Sequence, residues 1–279
     1  MNGIIIGGGS IGKRHSNNLN SLGVNTRIVD VDEIDNIETI LDNGYDFGMV
    51  CSPNINHIEH CNILVDREIP IFCEKPFYSD SFGIEDLLTK IQKRGIISMV
   101  GCNLRFTPEV DNIDETAKYI SVYFGYNLKK WRPGTNHLLS YSSNRNLGGG
   151  VLLDAIHELD YLYYKFGEIQ SIQKEKLKLT NITNDTEDFV TGKIIFKSGT
   201  IAHFTLNYLS NEYHRYYDVL IGDRLIRTHF NIDNKMYIRE IEYFLECVRQ
   251  NKQPMNNFLE ASNLLEHIIP YYKHSVHRV

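Results

Sequence analysis

The 279 residues contain no apolar run of about 18, so no membrane-crossing helix can be read from the sequence. They contain no C-x-x-C, and the five cysteines (Cys51, Cys61, Cys73, Cys102 and Cys247) are odd in number. A disulfide framework is therefore disfavoured, and the reading is buried, reduced thiols. No basic patch or long block of like charge stands out, net charge is −6 and the pI is about 6.0. Those features argue against nucleic acid and anionic membrane as partners. No internal repeat or low-complexity segment occurs. Met1 leads straight into an apolar stretch that is too short, and too soon broken by glycine, for a secretory signal. The expected location is the cytoplasm. What remains is an ordinary globular composition, 42% apolar and 23% charged, with enough length for two domains.

The most informative stretch is Asn2 to His15, NGIIIGGGSIGKRH. Ile4, Ile5 and Ile6 read as a buried strand, and Gly7, Gly9 and Gly12 fall on G-x-G-x-x-G spacing. An amphipathic pattern from Ile11 through Leu19 and Leu22 follows, so the glycines join a strand to a helix. That is the context of a dinucleotide fingerprint. The first glycine makes the tight turn, the second lets a pyrophosphate approach the backbone, and the third lets helix and strand pack closely. The phosphates then meet free N–H groups at the positive end of the helix. Asp30, 18 residues after Gly12, closes the run Arg27-Ile28-Val29 and suits a ribose 2′-hydroxyl, with Asp32 as the alternative. Asp30, Asp32, Glu33, Asp35 and Glu38 precede any Lys or Arg until Arg67. A 2′-phosphate there would meet like charge, which favours NAD over NADP. Lys13 and Arg14 argue the other way, because they can fold over the ribose from the first helix.

Strands and helices alternate to about residue 105. Strands fall at 47–51, 70–73 and 96–102, and helices at 37–41, 58–65 and 84–94. This predicts right-handed βαβ units and a parallel sheet, with one unit trimmed between Asp30 and Asp46. After Pro108 a strand is expected over 119–126, then an aperiodic segment over 127–146 and a helix over 151–166. Strands follow at 172–179, 189–196, 200–209, 216–221 and 225–230, with turns at Ser198-Gly199 and Gly222-Asp223, and then helices at 236–249 and 259–272. The fold class is α/β: a Rossmann domain over 1–106, then an α+β domain over 107–279 with a mainly antiparallel open sheet, one helix before it and two after.

Five stretches occur in the order found in the Gfo/Idh/MocA family, the glucose–fructose oxidoreductase and inositol dehydrogenase type. They are Gly7 to His15, Cys51-Ser52-Pro53-Asn54-Ile55-Asn56-His57, Cys73-Glu74-Lys75-Pro76-Phe77, Gly101 to Phe106, and Gly148-Gly149-Gly150 through Asp154 and His157 to Asp160. The chain resembles that family over residues 1 to about 166. Trp131-Arg132-Pro133-Gly134 with Ser140-Tyr141 is similar to a branch found with surface-polysaccharide biosynthesis. The resemblance implies an oxidoreductase that moves a hydride between NAD(P) and a secondary alcohol or ketone of a sugar, amino sugar or sugar nucleotide. It also implies a homodimer or homotetramer formed through the second sheet. Two other outcomes stay open: a redox-cycling glycosidase that holds NAD tightly, and a non-catalytic NAD(P)-binding sensor.

The same resemblance implies that Gly7, Gly9, Ser10, Ile11, Gly12, Asp30, Ser52, Pro53, His57, Glu74 and Lys75 hold the cofactor. Pro76 restricts Lys75 to an extended conformation or places it before a cis bond, aiming the ammonium. The resemblance sets Lys75 beside the reacting hydroxyl, where its charge stabilises a developing alkoxide. Glu74 either orients Lys75 or caps structure. Asp154, His157 and Asp160, at i, i+3 and i+6, place adjacent members on one helix face. An imidazole there suits proton transfer, and the resemblance makes His157 the general acid/base, with Asp154 in a supporting substrate contact and Lys75 as the alternative or sharing group for the proton. The commonest family pattern leaves three residues between Asp and His, whereas only Ala155 and Ile156 intervene here. Arg105, Trp131, Arg132 and Tyr141 are candidates for holding substrate, by a forked guanidinium or a stacking ring. Trp131 is equally a core residue by type. His57, His60 and Cys61 lack a fourth ligand at zinc-type spacing, so no metal is expected, and His57 reads as helix-start packing.

Overall fold

The computed structural model describes residues 1–131, 133–134 and 136–269. The first sheet has five parallel strands, in the order β2-β1-β3-β4-β5: β1 (Asn2–Ile6), β2 (Asn25–Val29), β3 (Phe47–Val50), β4 (Ile71–Glu74) and β5 (Ser98–Gly101). Every residue of β3 and β5 is buried, as a parallel sheet covered on both faces requires. Helices α1 (Ser10–Ser21), α2 (Ile37–Leu41), α3 (His57–Asp66) and α4 (Ile84–Arg94) connect the strands. α4 shows why such segments become helices. Glu85 and Asp86 sit in its first turn, Lys93 and Arg94 in its last, and Gly95 at φ 66° ends it. The trimmed connection is a 3₁₀ turn over Val31–Asn36 followed by α2. The strand order reverses direction between β1 and β3, the position where open α/β sheets bind ligands.

The short α5 (Pro108–Asp111) leads to β6 (Tyr119–Gly125), then α6 (Leu128–Trp131), α7 (Val151–Asp154) and α8 (His157–Phe166). The second sheet is completed by β7 (Ile169–Leu177), β8 (Phe189–Phe196), β9 (Ile201–Asn207), β10 (His214–Ile221) and β11 (Arg224–His229), in the order β11-β10-β6-β9-β8-β7. All its pairings are antiparallel except β6 with β9. One face is buried through Ile120, Val122, Phe124, Val190, Ile194 and Phe204, together with Leu159 and Leu162 of α8.

Three expectations change. The 151–166 helix is two helices, because Ala155 leaves the helical region (φ −99°, ψ 32°). The helical segment lies between β6 and β7, not before the sheet. The closing helices, α9 (Lys235–Gln250) and α10 (Phe258–Ile268), return to the first sheet. Ile241, Phe244 and Leu245 of α9 share a core with Ile5, Phe47 and Phe72, and α10 packs on β5 and α8. The remainder of the expected 259–272 helix beyond 269 lies outside the described residues.

Candidate functional site

A cavity of about 760 Å³ opens at the carboxyl ends of β1, β3 and β4, a size usual for ligand pockets. One end is built by the glycine turn. Gly7 has φ +110°, and a Cβ there would lie 2.6 Å from the Cys51 carbonyl group. A Cβ on Gly12 would lie 2.0 Å from the Gly7 oxygen, so α1 closes directly on β1. A Cβ on Gly9 would meet nothing within 4 Å, which leaves that side of the turn open. Gly9, Ser10 and Ile11 line the cavity where α1 begins. An open backbone, a helix N-terminus and no acid in its first turn give a geometry that could hold an anion such as a pyrophosphate. Gly12 supports the turn by packing and does not line the cavity.

Asp30 lines the same end, and its Oδ1 accepts a hydrogen bond from Val31 N–H at 3.0 Å. Asp32 does not line it. The acidic run after Asp30 is partly compensated: Arg67 reaches Glu38 at 2.6 Å and Asp42 at 2.7 Å, and Arg27 reaches Glu33 at 3.0 Å. Arg14 lines the cavity with its guanidinium 4.6 Å from the Tyr237 ring centroid.

Ser52, Pro53 and His57 follow β3. His57 is fully buried, with Nδ1 2.8 Å from the Pro76 carbonyl and Nε2 2.9 Å from the Ser52 carbonyl. A neutral ring can donate to only one of these at a time. Burial pulls its pKa down against the pull of those carbonyls. His57 thereby ties the loop after β3 to the loop after β4, and His60 holds the Ser52 hydroxyl at 2.8 Å. Asn54 donates to the Gly148 carbonyl at 3.1 Å, which links two of the motif stretches.

Glu74 ends β4. Its Oε1 lies 2.6 Å from Nε2 of the fully buried His15, and its Oε2 accepts from the Lys75 backbone N–H at 3.3 Å. Of the two roles open to Glu74, the geometry ties it to the Lys75 main chain and to α1. The Lys75–Pro76 peptide bond is cis. Lys75 Nζ donates to the main-chain carbonyl of Asp154 at 2.7 Å. Asp154 Oδ2 accepts from the buried Tyr208 hydroxyl at 2.6 Å. Burial raises the Tyr208 pKa, and the Asp154 charge raises it further, so the phenol remains a donor.

Lys75, Asp154 and His157 all line the cavity. His157 begins α8 while Asp154 ends α7, so the break at Ala155, and not a shared helix face, brings them together. Burial holds the His157 pKa well below its ordinary value, assisted by the positive charges of Lys75 and Arg215. The imidazole is therefore neutral at pH 7 and able to accept a proton. Its Nδ1 is buried with no hydrogen-bond partner.

Trp131 and Tyr141 line the cavity, with Trp131 5.3 Å from the Phe124 ring centroid. Arg132 lies outside the described residues. Arg105 does not line the cavity. It is 2% exposed and forks onto Asp160, with Nε to Oδ2 and Nη2 to Oδ1 both at 2.8 Å. Burial works against its charge but Asp160 prevails, so its pKa is raised. Arg105 is thus a buried structural cation, and Asp160 belongs to that pair and not to the Asp154–His157 face. Sequence reasoning missed Arg215, Tyr213, Tyr208, Tyr237 and Glu240. All but Tyr208 line the cavity, and all lie after β9, in the β9–β10 connection, β10 or α9, which strand pairing and α9 docking carry to this end.

Comparison with known proteins agrees with this architecture. Residues 25–102 match the oxidoreductase family with an NAD-binding Rossmann fold, and residues 121–225 match the GFO/IDH/MocA C-terminal domain. The chain is 25% identical over 207 residues to the uncharacterized oxidoreductase YrbE of Bacillus subtilis (strain 168), covering 63% of this chain and 57% of that relative's length. Among solved structures, GenD2 from gentamicin A biosynthesis, in complex with NAD, superposes with a TM-score of 0.81 at 17% identity (96% of this chain, 92% of that one). UDP-N-acetylglucosamine 3-dehydrogenase GnnA from Acidithiobacillus ferrooxidans gives 0.76 at 15% (95% and 94%). Levoglucosan dehydrogenase with NADH and levoglucosan gives 0.78 at 16% (96% and 96%). At such identities these three likenesses establish the fold alone. Two matches in family order, over a Rossmann sheet followed by an open second sheet, place the chain in the Gfo/Idh/MocA family of oxidoreductases.

Proposed function

We propose that the protein oxidises a secondary alcohol of a sugar, amino sugar or sugar nucleotide, or reduces the corresponding ketone, with NAD as its cofactor. The observation that carries this reading is the convergence of Lys75, Asp154 and His157 on one cavity that runs back to the glycine turn. Residues 1–106 hold the cofactor: Gly7, Gly9, Ser10 and Ile11 face its phosphates, Asp30 its ribose, and Ser52, Pro53, His57 and Glu74 fix the neighbouring loops. Asp30 favours NAD over NADP. NAD, when bound, supplies the two-electron acceptor at its nicotinamide ring.

The chain manages charge and one proton. Lys75 lies against the substrate oxygen and stabilises the negative charge that develops there. His157, neutral through burial and its two cationic neighbours, takes the hydroxyl proton and returns it in the reverse direction. Asp154, held by Tyr208, contacts the substrate and supports both. Residues 107–279 supply the remaining wall, where Trp131 and Tyr141 present faces suited to a sugar ring. The chain assembles as a homodimer or homotetramer through the open face of the second sheet, where Tyr123 stacks on Tyr216 at 5.2 Å.

The test is titration with NADH and NADPH by fluorescence, then a panel of sugars and nucleotide sugars followed at the nicotinamide absorbance band. NADH should bind more tightly than NADPH. Lys75→Ala and His157→Ala should each lower kcat/KM by about 10²–10⁴. Because the His157 pKa is lowered, oxidation should persist below pH 6.5 in the wild type. Absence of binding by both nucleotides to folded protein would overturn the reading.

A further inference from the structure

At the substrate end of the cavity, Arg215 of β10 is a buried cation with an assigned counter-ion. It is 8% exposed and lines the cavity, and its guanidinium carbon lies 4.6 Å from the Phe124 ring centroid and 5.8 Å from that of Tyr213. Its Nε lies 2.7 Å from Oε1 of Glu158, which is fully buried. The contact is a close, buried ion pair. Burial opposes the Arg215 charge but Glu158 outweighs it, so the guanidinium stays charged. With Nε toward Glu158, one face on Phe124 and Tyr213 beside it, the guanidinium forms part of the cavity wall.

This end holds no excess of positive charge: among the described residues the cations are Lys75 and Arg215, and the carboxylates are Glu74 beside Lys75, Asp154, and Glu158 behind Arg215. An arginine fork alone would recruit a carboxylate. Here a second carboxylate on Arg215 would be repelled by Glu158 from behind while losing its own hydration, so attraction and cost nearly cancel. A hydroxyl accepts the same hydrogen bonds without carrying charge into the site. We propose that Arg215, neutralised by Glu158, is the specificity-determining residue of this site, and that it selects a sugar ring presenting hydroxyls, not a carboxylate, to that wall. This rests on the sugar reading above and narrows it to neutral rings.

The experiment measures binding to the protein–NADH complex by nicotinamide fluorescence. The probes are D-glucose with D-glucuronate, and UDP-glucose with UDP-glucuronate; each pair differs only at C6. The wild type should bind the neutral member at least tenfold tighter. Glu158→Gln, which keeps the shape and frees the Arg215 charge, should close or reverse that ratio by tenfold or more. Arg215→Met should weaken the neutral member at least tenfold, with Arg215→Lys intermediate. Equal affinities in the wild type, preference for the acid, or a ratio unmoved by Glu158→Gln overturns the inference while leaving the sugar reading in place. NADH binding with neither member of either pair bound overturns both.

Discussion

Glu240 carries a carboxyl group at 1% exposure, and neither oxygen has a hydrogen-bond partner. Burial pushes its pKa well above the ordinary carboxylate value, and the nearby Glu74 charge adds to the rise. The folded state therefore keeps a proton that the unfolded chain releases near pH 4.5. For a folded pKa above the unfolded one, the associated stability is complete below the unfolded pKa. It declines as pH rises toward the folded value. Glu240→Gln removes that dependence while keeping size and a neutral amide. The variant should match the wild type in Tm near pH 4.5 and exceed it at pH 8. A Tm gain of the same size at both pH values would mean that titration of Glu240 is not the cause. His57 and His157 act in the opposite direction. Burial lowers both pKa values, so their stability contribution is present above pH 6.5 and falls away as the pH drops.

Between elements, the turn after β5 is fixed to α8 by Arg105 and Asp160, side chains 1% and 4% exposed. Removing one member strands a buried charge, at a cost of about 3–5 kcal/mol. Arg105→Met should lower the urea midpoint by that amount of stability while leaving NADH affinity within about twofold. A substrate-holding arginine would instead raise KM at unchanged midpoint. In the sequence Arg105 reads as a candidate substrate contact because a guanidinium can fork onto a carboxylate or phosphate. Nothing local announces that Asp160, 55 residues away, will claim it. The glycine turn, β1 and α1 were legible because their signals are local: an apolar run, three glycines and an amphipathic helix. The break between α7 and α8 was not, since Ala155 is among the best helix formers and only the surrounding packing removes it from the helical region. Strand register brings Arg215 to the cavity and Tyr208 to Asp154, Arg215 opposite Phe124 and Tyr208 one residue past the Asn207–Gly125 pair. A single sequence does not declare register across some 80 to 90 residues.

For the whole molecule, the question is whether the two sheets form one cooperative unit. The boundary expected at 106/107 assigns α9 to the second domain. Phe244 of α9 is nevertheless fully buried against the first sheet, its ring centroid 5.8 Å from Phe47 and 5.6 Å from Phe72. Without α9, the face of the first sheet bearing Ile5, Phe47, Met49 and Phe72 would lose the apolar helix that covers it. Phe244→Ala should destabilise by about 3–5 kcal/mol, the range for deleting a buried phenyl ring. Where that loss is felt distinguishes two kinds of molecule. Trp131, the only tryptophan, reports on the second sheet, where it contacts Phe124 and Tyr208. Amide hydrogen exchange of β3 and β4 reports on the first. If α9 couples the two, the urea transition read by Trp131 fluorescence and the protection of β3 and β4 should fall together in the variant. If β3 and β4 lose protection while the Trp131 midpoint stays in place, the sheets unfold independently, and 106/107 marks a folding boundary despite the contact. The coupled outcome is expected, because α10 joins β5 to α8 and shares a core with residues of both sheets.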